Sequence, residues 1–233
     1  MDYEIIGAGN YGIVVRSGPH TVWKLFKSLG SRKDIQREAE IQETVRNLFQ
    51  DTLQEIKVPT IHQVSNTIVT LSNQPYLQGI EMEYVQPPKG YSTQVHTCLG
   101  YHEDDIDTIW GMRIADPVSS TNPPRGFFAS PTTLEELWKE EGSDMTIETL
   151  AYTMGKAHRI ILANGILPID LEWVWSNGSL WAIDFGLCEF GKADPTAFLN
   201  SHTSFGLQND FYIPHEGDRG YQAFLRGYFE SSC

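Results

Sequence analysis

Residues 5–26 of the chain read IIGAGNYGIVVRSGPHTVWKLF. Runs of β-branched and aromatic residues bounded by turn residues predict three antiparallel strands here. The first connection carries Gly7, Gly9 and Gly12, and a glycine-rich turn lets backbone amides approach a phosphate closely. It joins two strands, whereas a dinucleotide fingerprint joins a strand to a helix. Lys24 lies in the third apolar run, so its ammonium must either reach solvent or meet a buried anion.

A helix is predicted to follow these strands. Ser31 is a suitable N-cap, and apolar residues recur at helical spacing through Phe49. Two of its acidic residues, Glu38 and Glu40, are candidate partners for Lys24. Glu38 is preferred because Ile41, three residues later, shares its inward face.

The second half of the chain is predicted to contain helices and one hairpin. Asp170 precedes the hairpin, and the triplet Asp184-Phe185-Gly186 ends it. An Asn-Gly turn between alternating apolar residues is a strong hairpin signal. The predicted elements are a helix over 132–142, a helix over 150–162 ending at Gly165, strands over 173–175 and 180–184 joined by Asn177-Gly178, and a last helix over 221–228.

The order of these features resembles the protein-kinase superfamily. The glycine-rich turn resembles its phosphate-covering loop, Lys24 and Glu38 its ion pair, and Asp184-Phe185-Gly186 its metal-binding motif. Residues 82–85, which include Glu83, resemble the segment that links the lobes. The resemblance implies a compact two-lobed α+β fold. Residues 1–86 would form an N-lobe with an antiparallel sheet and one helix, and residues 87–233 a reduced, mostly helical C-lobe.

The run 168–175, Pro-Ile-Asp-Leu-Glu-Trp-Val-Trp, departs from the kinase catalytic loop. Asp170 keeps the catalytic position, but Pro168 and Ile169 stand where kinases have His and Arg. Trp175 stands where kinases have the metal-binding Asn. Asn177 would take over that role only if the loop shifts. No Ala-Pro-Glu follows Gly186, which argues against a protein as the phosphate acceptor.

The second half is also similar to small fungal kinase-like proteins. The segments that carry this likeness are 126–128, 169–174, 180–188 and 209–214. Proteins of this kind are associated with the arginine-containing cyclodipeptide synthases of fungal secondary metabolism, which join two aminoacyl groups delivered by tRNA into a diketopiperazine. The Asp-Asp-x-x-Glu motif of that family is incomplete here, because residues 104–108 read Asp-Asp-Ile-Asp-Thr. The acidic run from Glu103 to Asp107 is better interpreted as a solvated loop than as a functional site.

The preferred interpretation is an arginine-using cyclodipeptide synthase. Its partners would be arginyl-tRNA and a second aminoacyl-tRNA. It would need no cofactor, because the aminoacyl ester of each tRNA already supplies the energy for forming the new amide bond. The carboxylates of Asp170, Glu172 and Asp184 would hold the guanidinium and deprotonate the attacking amine. The tRNA would need a basic surface, for which the sequence offers only Arg32, Lys33, Arg37, Lys156 and Arg159.

The alternative is an ATP- and magnesium-dependent phosphotransferase that acts on a small molecule or a protein. Asp184 would then bind Mg²⁺, and Asp170 would accept the proton of the nucleophile. The expected nucleotide-binding residues are Gly7, Gly9, Gly12, Lys24, Glu38 and Glu83. A third interpretation is a pseudokinase that binds ligands without catalysis.

The composition of the chain restricts its class of substrate and its cellular compartment. The chain has 233 residues and a formal net charge of −13, which argues against a broad phosphate-binding surface and suits a cationic small substrate. No apolar run approaches the roughly 18 residues of a membrane span, and no signal peptide opens the sequence. Three widely spaced cysteines form neither a disulfide framework nor a zinc motif. We therefore expect a cytoplasmic protein without membrane contact.

Overall fold

The structure is a computed structural model with fourteen strands and three helices of twelve or more residues among the residues that it describes, and residues 195–199 form a further short helix. Those residues are 4–8, 12–27, 32–85, 92–95, 112–115, 127–128, 138–139, 142–169, 171–176, 178–199 and 219–230. The helices are α1 (Arg32–Thr52), α2 (Ile147–Ala163) and α3 (Arg219–Glu230). The strands are β1 (Glu4–Ala8), β2 (Gly12–Arg16), β3 (Thr21–Lys27), β4 (Ile56–Lys57), β5 (Ile61–Val64), β6 (Ile68–Leu71), β7 (Gln74–Glu83), β8 (Ser92–Val95), β9 (Met112–Ala115), β10 (Phe127–Phe128), β11 (Ile166–Leu167), β12 (Glu172–Ser176), β13 (Ser179–Ile183) and β14 (Glu189–Phe190).

The N-terminal sheet is antiparallel and places Lys24 near its centre. Its strand order is β1-β2-β3-β7-β5, and β6 pairs with β7. Lys24 on β3 lies opposite Val14 of β2 on one side and Ile80 of β7 on the other. Strand β3 is therefore stabilised by cross-strand side-chain contacts on both of its sides.

A second sheet combines the predicted hairpin with strands that the sequence did not predict. Its order is β10-β9-β8-β12-β13-β4. The β12–β13 hairpin turns at Gly178, whose positive φ of 70° suits glycine. Strands β8, β9 and β10 come from the part of the sequence with the weakest periodicity. The C-terminal part thus contains a sheet as well as helices.

Helix α1 joins the two parts of the molecule. Its N-terminal residues Ile35 and Ala39 pack with β3 and β7, beside Phe26 and Ile80. Its C-terminal half packs in the large core that includes α2 and the β12–β13 hairpin. The chain then continues into β4, whose Ile56 lies opposite Leu180 of β13 in a parallel pairing. Glu38 therefore lies on α1 where the two parts meet.

These observations confirm the predicted α+β class with an antiparallel N-terminal sheet, one helix packed against it and a C-terminal hairpin. The division between residues 86 and 87 stays a prediction. No helix in the described part of the chain is long and apolar enough to cross a membrane.

Candidate functional site

Lys24 lies at the centre of a cluster of charged side chains. Its Nζ donates to Oε1 of Glu38 at 2.6 Å and to Oδ1 of Asp184 at 2.7 Å. The three residues come from β3, from α1 and from the turn after β13. The structure therefore brings together the lysine and glutamate that the sequence paired and the aspartate that it placed in a separate motif.

Burial differs sharply within the cluster. The Glu38 side chain is 3% exposed and that of Lys24 is 16% exposed, whereas that of Asp184 is 47% exposed. Burial opposes the charge on Lys24, but Glu38 and Asp184 outweigh it and raise the pKa of the ammonium above its usual value. Burial likewise raises the pKa of Glu38, because Lys24 only partly offsets the lost hydration. Lys24 stays charged at neutral pH, and its charge opposes the rise in the pKa of Glu38.

The turn at Asp184-Phe185-Gly186 fixes the exposed carboxylate. Asp184 has a φ of 54°, a left-handed conformation that costs most non-glycine residues about 1–2 kcal/mol and that aspartate tolerates better than most. The Gly186 amide donates to Asp184 Oδ1 at 3.4 Å, and Phe185 is fully buried in the large core. A Cβ on Gly186 would lie 3.3 Å from both Asp184 Oδ1 and Glu38 Oε2. The turn thus packs directly against the charged cluster.

The glycine-rich hairpin lies beside the lysine strand. Gly7 pairs with Val14 across β1 and β2, and Gly12 pairs with Phe26 of β3. A Cβ on Gly12 would lie only 2.0 Å from the Leu25 carbonyl oxygen, so the close approach of β2 to β3 requires glycine. Gly9 lies outside the described residues. The described part of the hairpin thus runs alongside Lys24, and its role in phosphate binding stays a prediction.

Glu83 ends β7 and contacts the neighbouring strand connection. Its Oε2 accepts from the Thr60 amide at 3.2 Å, and its own amide donates to the Thr60 carbonyl at 2.8 Å. The next residue, Tyr84, donates its amide to the His20 carbonyl at 2.8 Å. The described contacts of Glu83 are structural, and its predicted contact with a ligand is untested.

The expected catalytic loop is only partly described. Asp170 lies outside the described residues. Glu172 is the first residue of β12, where it lies opposite Ile183, the residue before Asp184. Trp175, which occupies the position of the kinase metal-binding Asn, pairs with Leu180 within the same hairpin. That position therefore lies in a strand and not in a loop. The acidic run at residues 103–107 also lies outside the described residues.

Two contacts at the site were not predicted from the sequence. One is the direct hydrogen bond between Lys24 and Asp184, and the other is an ion pair between Arg37 and Glu189. Both join residues far apart in the chain, and the relative placement of α1 and the turn after β13 is a property of the folded core. No local sequence pattern indicates either contact.

The described side chains of the cluster suit a magnesium ion only if a bound ligand supplies further oxygen atoms. The described residues include no group of three or more His, Cys, Asp or Glu side chains able to hold a metal ion. Asp184 offers half-exposed carboxylate oxygens, and Mg²⁺ is commonly bound by one or two carboxylates together with substrate phosphates. Asp184 fits that role, and Lys24 beside it fits a phosphate oxygen.

Comparison with known proteins adds distant likenesses. No protein-family model matches the sequence, and no curated protein matches it. SAICAR synthase from Saccharomyces cerevisiae complexed with SAICAR is similar at 8% identity and a TM-score of 0.39, with 98% of this chain and 93% of that chain covered. The ADP-bound aminoglycoside phosphotransferase APH(2'')-Ib is similar at 15% identity and a TM-score of 0.40, with 98% and 77% covered. The gentamicin complex of APH(2'')-IIa is similar at 13% identity and a TM-score of 0.38, with 97% and 76% covered. Likenesses this distant assign no substrate, cofactor or reaction to the chain.

Proposed function

We propose that this chain is an ATP-dependent phosphotransferase. The observation that carries the proposal is the placement of Lys24 Nζ between Glu38 Oε1, at 2.6 Å, and Asp184 Oδ1, at 2.7 Å. A buried glutamate that orients a lysine, beside an exposed aspartate, supplies a cation for phosphate oxygens and a ligand for Mg²⁺. Phosphoryl transfer depends mainly on such positioning and charge neutralisation.

Each residue has a distinct part in this reaction. Lys24 would hold the phosphates, and Glu38 would keep its ammonium in place. Asp184 would share the Mg²⁺ with the nucleotide, and the ion when bound neutralises charge on the transferred group. Asp170 would accept the proton of the acceptor's hydroxyl group. The hydroxyl oxygen would attack the terminal phosphorus of ATP, and ADP would leave. Asp170 lies outside the described residues, so this role is an expectation from the sequence.

The first test is nucleotide binding, measured by thermal shift with ATP and Mg²⁺. We expect ATP to raise the melting temperature, because a ligand at a hundred times its Kd stabilises a protein by about 2.7 kcal/mol. The Asp184→Asn variant should lose the part of the shift that depends on Mg²⁺. Lys27→Met is the matched control, because Lys27 lies exposed on the same strand as Lys24. No shift with the wild-type protein would contradict the proposal.

The second test separates catalysis from binding. Incubation with ATP and Mg²⁺ should release ADP when a suitable acceptor is present, and Asp170→Asn should abolish that release without weakening ATP binding. ATP binding with no ADP release across amino acids, amino sugars and nucleosides would favour the pseudokinase interpretation instead.

A tRNA-dependent cyclodipeptide synthase remains the second candidate, and one observation favours it. The position of the second kinase metal ligand is held by Trp175 inside β12, where its backbone pairs with Leu180. Aminoacyl transfer to an amine needs neither ATP nor a metal, so this substitution would not impair it. Expression in a bacterial host followed by mass spectrometry of the medium tests this candidate. Arginine-containing diketopiperazines that vanish with Glu172→Gln would support it, and their absence from cells with folded protein would exclude it.

A further inference from the structure

Arg16 is the last residue of β2, and its side chain contacts two other segments of the chain. Its Nε lies 2.7 Å from Oε2 of Glu4, the first residue of β1 and its partner in the antiparallel register. Its guanidinium carbon lies 4.6 Å from the centre of the Tyr84 ring, just after the end of β7. A guanidinium at this distance over an aromatic face makes a cation–π contact. Arg16 therefore bridges β1 and the segment that follows β7.

These contacts lie on the face of the sheet that carries Lys24. Arg16 follows Val14 by two residues, and side chains two apart on a strand point to the same face. Val14 lies opposite Lys24, and Arg16 lies opposite Val22, two residues before Lys24 on β3. The contacts of Arg16 are thus one row of side chains, or about 7 Å along the strands, away from the lysine of the candidate site.

Strand β1 has a weaker hold on the sheet than the central strands. It lies at the end of the strand order, beside β2, and its pairing with β2 shifts register between Ile5 and Gly7. An edge strand with an irregular ladder opens at a lower free energy than the core. The Arg16 Nε makes no aligned hydrogen bond within the described part of the chain, so its attraction to Glu4 is mainly electrostatic. This attraction opposes the opening of β1 at its first residue.

Tyr84 belongs to a part of the sheet that hydrogen bonds hold in place. Its amide donates to the His20 carbonyl at 2.8 Å, in the turn between β2 and β3. In the same turn, the Ser17 hydroxyl donates to Oε1 of Glu81 on β7 at 3.1 Å. The guanidinium of Arg16 thus rests on a fixed ring on one side and attracts the edge strand on the other.

We propose that Arg16 is a positioning residue for the glycine-rich hairpin of β1 and β2. Its guanidinium rests on Tyr84 and keeps Glu4, and with it β1, in place beside β2. Because β2 pairs directly with the strand of Lys24, this contact fixes the position of β1 relative to the lysine. Arg16 acts through Glu4 and does not touch the ligand itself.

The first experiment needs no ligand and measures backbone hydrogen exchange by mass spectrometry. We expect Arg16→Met to accelerate the exchange of β1 amides by up to about fivefold, the upper limit for an exposed ion pair. Glu4→Gln should do the same, and adding it to Arg16→Met should cause no further acceleration because the contact is already lost. Exchange in α2 should stay at the wild-type rate, since the proposed effect is local.

Lys57→Met is the matched control. The Lys57 Nζ lies 5.3 Å from the centre of the Trp181 ring, so this variant removes a cation–π contact from the second sheet. It should leave exchange in β1 unchanged. Arg16→Lys keeps a positive charge between Glu4 and Tyr84, and its β1 amides should exchange within about twofold of the wild-type rate.

The second experiment measures ATP affinity and rests on the proposed function. Arg16→Met and Glu4→Gln should each raise the Kd by about two- to fivefold, and Lys57→Met should not. A raised Kd in Arg16→Met with an unchanged or lower Kd in Glu4→Gln would mean that Arg16 contacts the ligand directly, and would overturn the inference.

The two experiments fail separately. If the wild type does not bind ATP, the proposed function fails, but the exchange rates of β1 still decide whether Arg16 holds this strand. Equal acceleration in β1 and α2, or wild-type exchange in β1 of both Arg16→Met and Glu4→Gln, would overturn the inference whatever the nucleotide result.

Discussion

Replacing Lys24 with methionine tests the charged cluster most stringently. The change leaves Glu38, whose side chain is 3% exposed, without the ammonium that lies 2.6 Å from its Oε1. Removing one partner of a buried ion pair costs about 3–5 kcal/mol, a large part of the roughly 5–15 kcal/mol that stabilises a typical domain. We expect a loss of that size at pH 7 in urea unfolding analysed by linear extrapolation.

Two double variants identify which carboxylate accounts for the loss of stability in Lys24→Met. Lys24→Met with Glu38→Leu should recover most of the loss, because a well-packed apolar pair often matches a buried ion pair in stability. Lys24→Met with Asp184→Asn should recover at most about 1 kcal/mol, because the Asp184 side chain is 47% exposed. If Lys24→Met alone is too unstable to purify, the Glu38 double variant still reports the outcome.

The pH dependence of the same variant has a defined sign. Burial raises the pKa of Glu38 above 4.5 in the folded state, and loss of Lys24 raises it further. A carboxyl group with a raised folded-state pKa favours folding at low pH and loses that contribution as pH rises. The penalty of Lys24→Met should therefore grow from pH 5 to pH 7, by at most about 1.4 kcal/mol per pH unit for one proton. A cost below about 1 kcal/mol at pH 7, or equal rescue by Asp184→Asn and Glu38→Leu, would refute this reasoning.

Three further variants test the surrounding structure. Gly12→Ala should destabilise the protein by about 1–3 kcal/mol in urea unfolding, because its Cβ would lie 2.0 Å from the Leu25 carbonyl oxygen; an unchanged midpoint would contradict the observed β2–β3 pairing. Phe185→Ala should cost about 3–5 kcal/mol, because Phe185 is fully buried, and calorimetry should show a lower melting temperature; a shift below 1 °C would be inconsistent with that burial. Burial raises the pKa of Tyr228 to about 12, and its hydroxyl donates to the Pro195 carbonyl at 2.9 Å. The wild type should therefore lose more stability than Tyr228→Phe as pH rises from 10 to 12; equal losses in the two proteins would disprove the assignment.

Local patterns in the sequence were sufficient for the central strands, for α1 and α2, and for the hairpin. The choice of Glu38 over Glu40 followed from the spacing of Ile41, and in the structure Glu38 is buried while Glu40 is exposed. His158 follows Met154 by one helical turn, and its Nδ1 lies 2.8 Å from the Met154 carbonyl oxygen. In each of these cases the controlling interaction lies within about one helical turn or one strand pair.

The remaining features depend on long-range contacts. Strands β8 to β10 are formed by segments without clear alternation, and their pairing is set by the edge of the hairpin at Trp173 and Val174. The contacts of Lys24 with Asp184 and of Arg37 with Glu189 depend on how α1 packs against the C-terminal core. Such contacts follow from the packing of whole elements and leave no periodic signal in the sequence.

The most direct test of the central claim is the magnesium dependence of ATP affinity, measured by isothermal titration calorimetry. If Lys24 and Asp184 form a nucleotide-phosphate site, Mg²⁺ should strengthen ATP binding to the wild type and have little effect on Asp184→Asn. Lys24→Met with Glu38→Leu, which we expect to fold without the lysine, should bind ATP weakly with or without Mg²⁺. Equal ATP affinities for all three proteins, or no binding by the wild type, would contradict the claim that this cluster binds a nucleotide.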